Sequence, residues 1–93
     1  MRHRHKYEVI AAILTSCDRK ETFTRIMYKS MLSNEHCKFY IQFLLNCGLI
    51  NAFLEREKKC YARTEKGNRF LLNFEKLMEI LPTVISKQGK INQ

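Results

Sequence analysis

The sequence contains few of the residues that interrupt regular structure, with only three glycines and one proline in 93 residues. Hydrophobic residues make up 45% of the chain. This composition is typical of a folded globule and argues against a disordered segment. A chain of this length normally forms one hydrophobic core, so we expect a single domain without a separate catalytic unit.

Long hydrophobic runs are also missing. No apolar stretch reaches the roughly 18 residues that a membrane-spanning helix requires. At the N-terminus a charged start precedes a short apolar run, but Glu8 interrupts it and no small-residue cleavage site follows. We therefore expect a soluble, cytoplasmic protein with no membrane contact and no export signal.

Motifs for catalysis and metal binding are absent as well. The sequence has no phosphate-binding glycine loop and no paired-carboxylate motif, and its four widely spaced cysteines include no C-x-x-C pair. His3 and His5 lack a third metal ligand. His36 and Cys37 are neighbours on a predicted helix, so their side chains point about 100° apart and cannot act as a local pair. We predict no enzyme activity, no metal, no cofactor and no small-molecule substrate.

Acidic residues are scarce relative to basic ones. Nine Asp and Glu stand against 17 Lys and Arg, which gives a formal charge of +8 at pH 7. Such an excess favours polyanionic partners, and nucleic acid is the foremost of these.

The apolar periodicity predicts two helices in the first third of the chain. Helix one covers about residues 6–17, where apolar residues recur at helical spacing. The segment "DRKET" interrupts this pattern, and either Thr22 or Thr24 can cap helix two. The buried side of helix two is predicted to consist of Phe23, Ile26 and Met27.

The remaining elements have clear boundary signals. Ser33 is a suitable N-cap for helix three, and Gly48 can close it in a left-handed conformation. The stretch "LINAFLEREKKCYAR" contains two short strand-like runs around a charged centre and predicts a β-hairpin with a loop at residues 56–58. Thr64 caps a last helix, which Pro82 should stop or kink. This order predicts a mainly α protein with a small hairpin, a winged helix-turn-helix.

Three segments resemble the small basic winged-helix DNA-binding proteins of thermophilic archaea and archaeal viruses: "TRIMYKSMLS", "GLI" after helix three, and "YARTEKGNRFL". The resemblance covers about residues 6–81. It implies a transcription regulator that places helix three in the major groove of duplex DNA, touches the backbone with its wing and forms a homodimer through its last helix. One departure is Arg63, where the family usually has an apolar residue, so that end of the strand is either less buried or faces phosphate.

Helix three has two distinct faces when residues 34–47 are placed at 100° per residue. Cys37, Tyr40, Ile41, Leu44 and Leu45 form the predicted core face. The candidate base contacts are Lys38, Gln42 and Asn34 on the outer side and Phe39 beside it. Lysine reads guanine, glutamine reads adenine, and an apolar ring can meet thymine methyls. Ser33 is a candidate phosphate contact at the helix start, as is Asn34. The alternative is an ordinary solvated helix face.

Phe39 and Phe43 lie on a flank between those two faces. They are either individually exposed apolar residues, which are common, or part of a contiguous patch that contacts another protein chain. The second alternative would make the molecule a winged-helix protein–protein interaction module that uses the Phe39/Phe43 face.

Basic residues at the hairpin tip and the N-terminus complete the predicted DNA surface. Arg56, Lys58 and Lys59 would contact the sugar-phosphate backbone, although a solvated charge run is an equal alternative. Residues 1–6 form a basic arm in which Arg2 and Arg4 would also meet the backbone. The winged-helix domain itself is assigned to residues 7–81, and a flexible or kinked tail to residues 82–93.

The last helix carries more apolar residues than its own domain needs. Phe70, Phe74, Leu77 and Leu81 follow heptad-like spacing, so we predict a homodimer built on this helix. Cys17 and Cys47 lie at the ends of predicted helices, so they are expected to have the least core character of the four cysteines. Because the resemblance is to thermophilic proteins, they are the candidates for a disulfide within or between subunits.

Overall fold

The computed structural model describes residues 4–81. The elements are α1 (Lys6–Ser16), β1 (Glu21–Thr22), α2 (Phe23–Ser30), α3 (Asn34–Cys47), β2 (Ile50–Glu55), β3 (Lys58–Arg63) and α4 (Glu65–Ile80). The predicted mainly α winged helix-turn-helix is confirmed. Arg2, His3, Pro82 and the predicted tail lie outside the described residues.

The hairpin of β2 and β3, hereafter the wing, pairs in antiparallel register from Ile50–Arg63 at its base to Glu55–Lys58 at its tip. Its two-residue turn is Arg56 and Glu57, both with positive φ (52° and 65°). This is the left-handed pair that suits the twist of a two-residue hairpin loop. A short strand that the sequence did not reveal, β1, adds to β3 and gives the sheet order β1-β3-β2.

The predicted helix boundaries are confirmed by capping hydrogen bonds. The Thr22 side chain, rather than Thr24, accepts from the Arg25 N–H at the start of α2. Ser33 caps α3, Thr64 caps α4, and Gly48 closes α3 in the left-handed region. Ser33 therefore fixes where the turn between α2 and α3 ends, and Met31, the left-handed C-cap of α2, marks where it begins.

The core is centred on α1 and its C-cap, Cys17. They contribute Val9, Ile10, Ile13, Leu14 and Cys17 to one cluster with residues of α2, α3 and the sheet. The predicted inner face of α3 is confirmed, since Cys37, Ile41 and Leu44 are buried while Tyr40 and Leu45 pack at the edge.

The predicted disulfide at Cys17 and Cys47, within or between subunits, is not supported. All four cysteines are free thiols, and Cys17 is fully buried in the core. Cys17 was predicted to have little core character because it lies at the end of a helix, where exposure was expected. In the fold, the end of β3 lies against this end of α1. The Arg63 N–H donates a hydrogen bond to the Cys17 carbonyl at 3.1 Å.

Burial of Cys17 predicts a specific alkaline sensitivity. Desolvation raises the pKa of its thiol from the ordinary 9.0 to about 11. The unfolded chain then ionises this thiol at lower pH than the folded chain, so the stabilisation is complete below pH 9 and is lost as pH rises toward about 11. This rise in the pKa of Cys17 corresponds to a loss of roughly 2 to 3 kcal/mol in the free energy of unfolding once the pH exceeds the raised value.

Urea unfolding of the wild type and Cys17→Ala at neutral pH and at alkaline pH tests this. We expect the wild type to lose more stability than the variant over that interval. An equal loss in both proteins would contradict the assignment.

Candidate nucleic-acid interface

The outer face of α3 presents the residues that the sequence selected for base contacts. Asn34, Lys38, Phe39 and Gln42 are all exposed. The Gln42 side-chain amide donates to Asn46 Oδ1 at 3.1 Å, one turn further along the helix. This bond uses one N–H of the Gln42 amide and leaves its carbonyl oxygen available to accept from a partner.

A cavity of about 310 Å³ separates this face of α3 from the wing. Its walls carry Lys38 and Gln42 on one side and Lys59 on the other, above a floor that includes Ile41 and Leu45. We call it the α3–wing groove. It brings together three of the predicted DNA-binding residues from two separate segments of the chain.

The two wing lysines lie on opposite faces of the hairpin. Lys59 is paired across the ladder with Leu54 and shares a face with Tyr61, which also lines the groove. Lys58 pairs with Glu55 on the other face. Both lysines were predicted to contact the backbone, but alternation along β3 directs only Lys59 into the groove.

The start of α3 is occupied by capping interactions. The Ser33 hydroxyl accepts from the His36 N–H at 3.2 Å, and its own proton remains available for a phosphate. Arg4 lies close to the same turn, where its guanidinium donates to the Ser30 carbonyl at 2.6 Å. The arm residue Arg4 therefore packs against the end of α2, while its predicted neighbour Arg2 lies outside the described residues.

Other basic side chains are engaged in ion pairs on α2. Glu21 contacts Lys29 at 2.9 Å and Arg25 at 3.4 Å, and the hydrogen bond from Lys29 lowers the pKa of Glu21. Among residues 4–81, by contrast, Lys38 and Lys59 have no carboxylate within ion-pair distance. Their charges are therefore fully available in the α3–wing groove.

The flank of α3 exposes aromatic surface. Phe39 is 63% exposed and packs edge-on against Tyr40, with ring centroids 5.3 Å apart, and Phe43 is 40% exposed. Cys47, which continues the flank in sequence, packs against the core instead. The exposed aromatic surface of the flank therefore ends at Phe43.

A second apolar groove, of about 240 Å³, runs between α1 and α4. Tyr7, Phe70, Asn73, Phe74 and Leu77 line it, and the rings of Phe70 and Phe74 stack with centroids 6.2 Å apart. Three of the four predicted dimerisation residues thus lie along one face of α4, and Leu81 is exposed at its end.

Arg63, the departure from the family pattern, is turned toward the protein. Its guanidinium donates to the Leu14 carbonyl at 2.7 Å and to Asn68 Oδ1 at 2.6 Å. These bonds tie the end of β3 to both α1 and α4. The alternative that Arg63 faces phosphate is therefore not supported.

The fold and these surfaces define a class of protein. The chain belongs to the winged helix-turn-helix family, because the sequence model of that family matches residues 3–82. None of the helices within residues 4–81 has both the length and the apolar content needed to cross a bilayer. A search of curated protein sequences finds no significant match.

Solved structures with the same fold include proteins of several sources. Sso10a-2, a DNA-binding protein from Sulfolobus solfataricus, is 27% identical with a TM-score of 0.80, over 87% of this chain and 85% of that protein. F-93 of SSV1 is 20% identical with a TM-score of 0.64, over 84% and 91%. MepR of S. aureus, in a complex with DNA, is 12% identical with a TM-score of 0.68, over 94% of this chain but only 65% of MepR.

Proposed function

We propose that this protein binds duplex DNA and regulates transcription, with α3 in the major groove and the wing on the sugar-phosphate backbone. The observation that carries the proposal is the α3–wing groove, where Lys38, Gln42 and Lys59 converge without a neutralising carboxylate. The similarity to Sso10a-2, a DNA-binding protein of comparable length, supports it. The similarities to Sso10a-2 and to F-93 of SSV1 support an archaeal or viral origin, and a DNA-binding regulator of such an origin would act in the cytoplasm.

Each predicted contact has a distinct role in this proposal. Lys38 and Gln42 read base edges, and Phe39 meets a thymine methyl. Asn34 is placed to read a base or to bind phosphate at the positive end of α3, beside Ser33. The wing residues Arg56, Lys58 and Lys59, together with Arg2 and Arg4 of the arm, bind phosphates and add affinity without sequence information.

The active form in this proposal is a homodimer. Its interface consists of Phe70, Phe74 and Leu77 of α4 together with Leu81 at the C-cap, because their apolar face extends beyond what the domain itself covers. Two copies would then present two recognition helices to adjacent half-sites.

One observation favours a second function. The exposed rings of Phe39 and Phe43 would suit a protein partner. In that case the winged helix would be a protein–protein interaction module.

Fluorescence anisotropy of a labelled random duplex, titrated with protein over a series of salt concentrations, tests DNA binding. We expect the logarithm of the association constant to fall linearly with the logarithm of salt concentration, with a slope of about 0.9 for each phosphate neutralised. Lys59→Ala should reduce the slope by about one contact.

Lys76→Ala is the matched control, because it removes the same charge from an exposed position on α4 that lies outside the α3–wing groove. Its slope should equal that of the wild type. Absence of binding at low salt would overturn the proposal and favour a protein partner for the Phe39/Phe43 face.

A further inference from the structure

Three side chains meet on the face of the wing that points away from the α3–wing groove. Lys20 Nζ lies 3.0 Å from Glu55 Oε2. The same ammonium lies 4.8 Å from the ring centroid of Phe53. Phe53 and Glu55 are two residues apart on β2, so both project from one face of the strand, while Lys20 belongs to the segment that directly precedes β1.

The wing has little other support near its tip. β1 pairs with β3 only at Cys60 and Tyr61, and β2 is an edge strand that is exposed from Asn51 to Glu55. Among the hydrogen bonds and ion pairs of residues 4–81, those of residues 54–59 lie within the hairpin itself, apart from the bond between Lys20 and Glu55. A two-stranded hairpin without further contacts is only marginally stable.

We propose that Lys20, Phe53 and Glu55 form a brace that fixes the angle of the wing relative to α3. The brace leaves the opposite face, with Lys59, directed toward the groove and its DNA. Lys20 and Glu55 are then positioning residues that act through the wing and do not touch DNA themselves. This inference rests on the proposed DNA-binding function.

The arrangement gives a structural role to Glu55, one of two acidic residues at a wing tip that also carries Arg56, Lys58 and Lys59. A carboxylate near phosphates weakens DNA binding by simple charge repulsion. Glu55 offsets this because it anchors Lys20, which itself lies over an aromatic face. The side chains of Lys20 and Glu55 are 43% and 54% exposed, so solvent weakens the pair and we expect effects of roughly two- to fivefold in affinity.

The sign of the effect of Glu55→Gln separates the brace from simple electrostatics. Removal of one negative charge should strengthen binding if only charge matters. The brace predicts a two- to fivefold weaker association constant, with the salt slope unchanged because no phosphate contact is lost. Lys20→Ala should weaken binding to a similar extent, again at constant slope, and Lys20→Arg should restore most of the affinity because arginine can make both contacts.

Glu57→Gln is the matched control. It makes the same change two residues away at the wing turn, where Glu57 has no ion pair within residues 4–81. We expect its DNA binding to equal or exceed that of the wild type. If Glu55→Gln behaves like Glu57→Gln, or if Lys20→Ala lowers the salt slope by one contact, the brace is refuted.

Amide hydrogen exchange of the DNA-free protein tests the brace independently of DNA binding. We expect the amides of residues 54–59 to exchange several-fold faster in Glu55→Gln than in the wild type or Glu57→Gln. Unchanged exchange would also refute the brace. A wild-type protein that fails to bind DNA, but shows this difference in exchange, would overturn the proposed function and leave the brace intact.

Discussion

Gly67→Ala is expected to destabilise the fold by about 2 kcal/mol or more, although the same change inside an exposed helix normally stabilises by about 1 kcal/mol. Gly67 lies in the first turn of α4, where a Cβ would overlap the Leu49 carbonyl oxygen and stand 2.8 Å from Arg63 Cγ. The carbonyl is backbone and cannot move aside like a flexible side chain. Denaturant unfolding at neutral pH measures the effect.

The cost should be high because this contact is where α4 attaches to the end of α3. The Thr64 N–H donates to the same Leu49 carbonyl at 3.1 Å, and the Thr64 hydroxyl donates to the Gly48 carbonyl at 2.7 Å. Lys66 Nζ donates to the Cys47 carbonyl at 2.8 Å. A methyl group at Gly67 would push the helix away from the carbonyls that these donors reach.

Gly48→Ala provides the comparison. Gly48 has φ 77° and open space around its Cβ position, so this substitution should cost only the conformational penalty of about 1 kcal/mol. We therefore expect Gly67→Ala to be the more damaging of the two. A Gly67→Ala protein as stable as the wild type would show that α4 is not held at this distance.

Local signals account for most of the agreement between sequence and fold. Ser33, Gly48 and Thr64 mark helix ends because a cap depends on one side chain and a few backbone groups nearby. β1 was not predicted because two residues carry no periodicity, and its position follows from pairing with β3 almost 40 residues later. The burial of Cys17 likewise follows from a distant strand that covers the end of α1.

In the candidate site, too, the features that depend on neighbouring residues were predicted and those that depend on distant contacts were not. Lys38 and Gln42 were found because one helical turn places them together on a solvent face. Lys59 was found by its charge, and strand alternation puts it on the face opposite Lys58, but which of the two lysines faces α3 depends on how the wing packs in the fold. The contacts of Lys20 with the wing bridge 35 residues, and nothing local in the sequence indicates them.

Leu77→Asp is expected to convert a dimer into a monomer at micromolar concentration. The wild type should sediment at twice the chain mass of 11.1 kDa. Burial of an unpaired carboxylate in an apolar interface costs several kcal/mol, which raises the dissociation constant by at least about a hundredfold. The variant should also bind a DNA fragment with two half-sites more weakly, because the second contact is no longer tethered to the first.

Leu72→Asp separates the interface from the general effect of a charge on α4. Leu72 is 53% exposed against 44% for Leu77, but it lies outside the groove formed by Tyr7, Phe70 and Phe74. This variant should remain dimeric and bind DNA almost as the wild type does. If the wild type itself sediments as a single chain, the apolar face of α4 serves another partner, and the two recognition helices must then bind DNA independently.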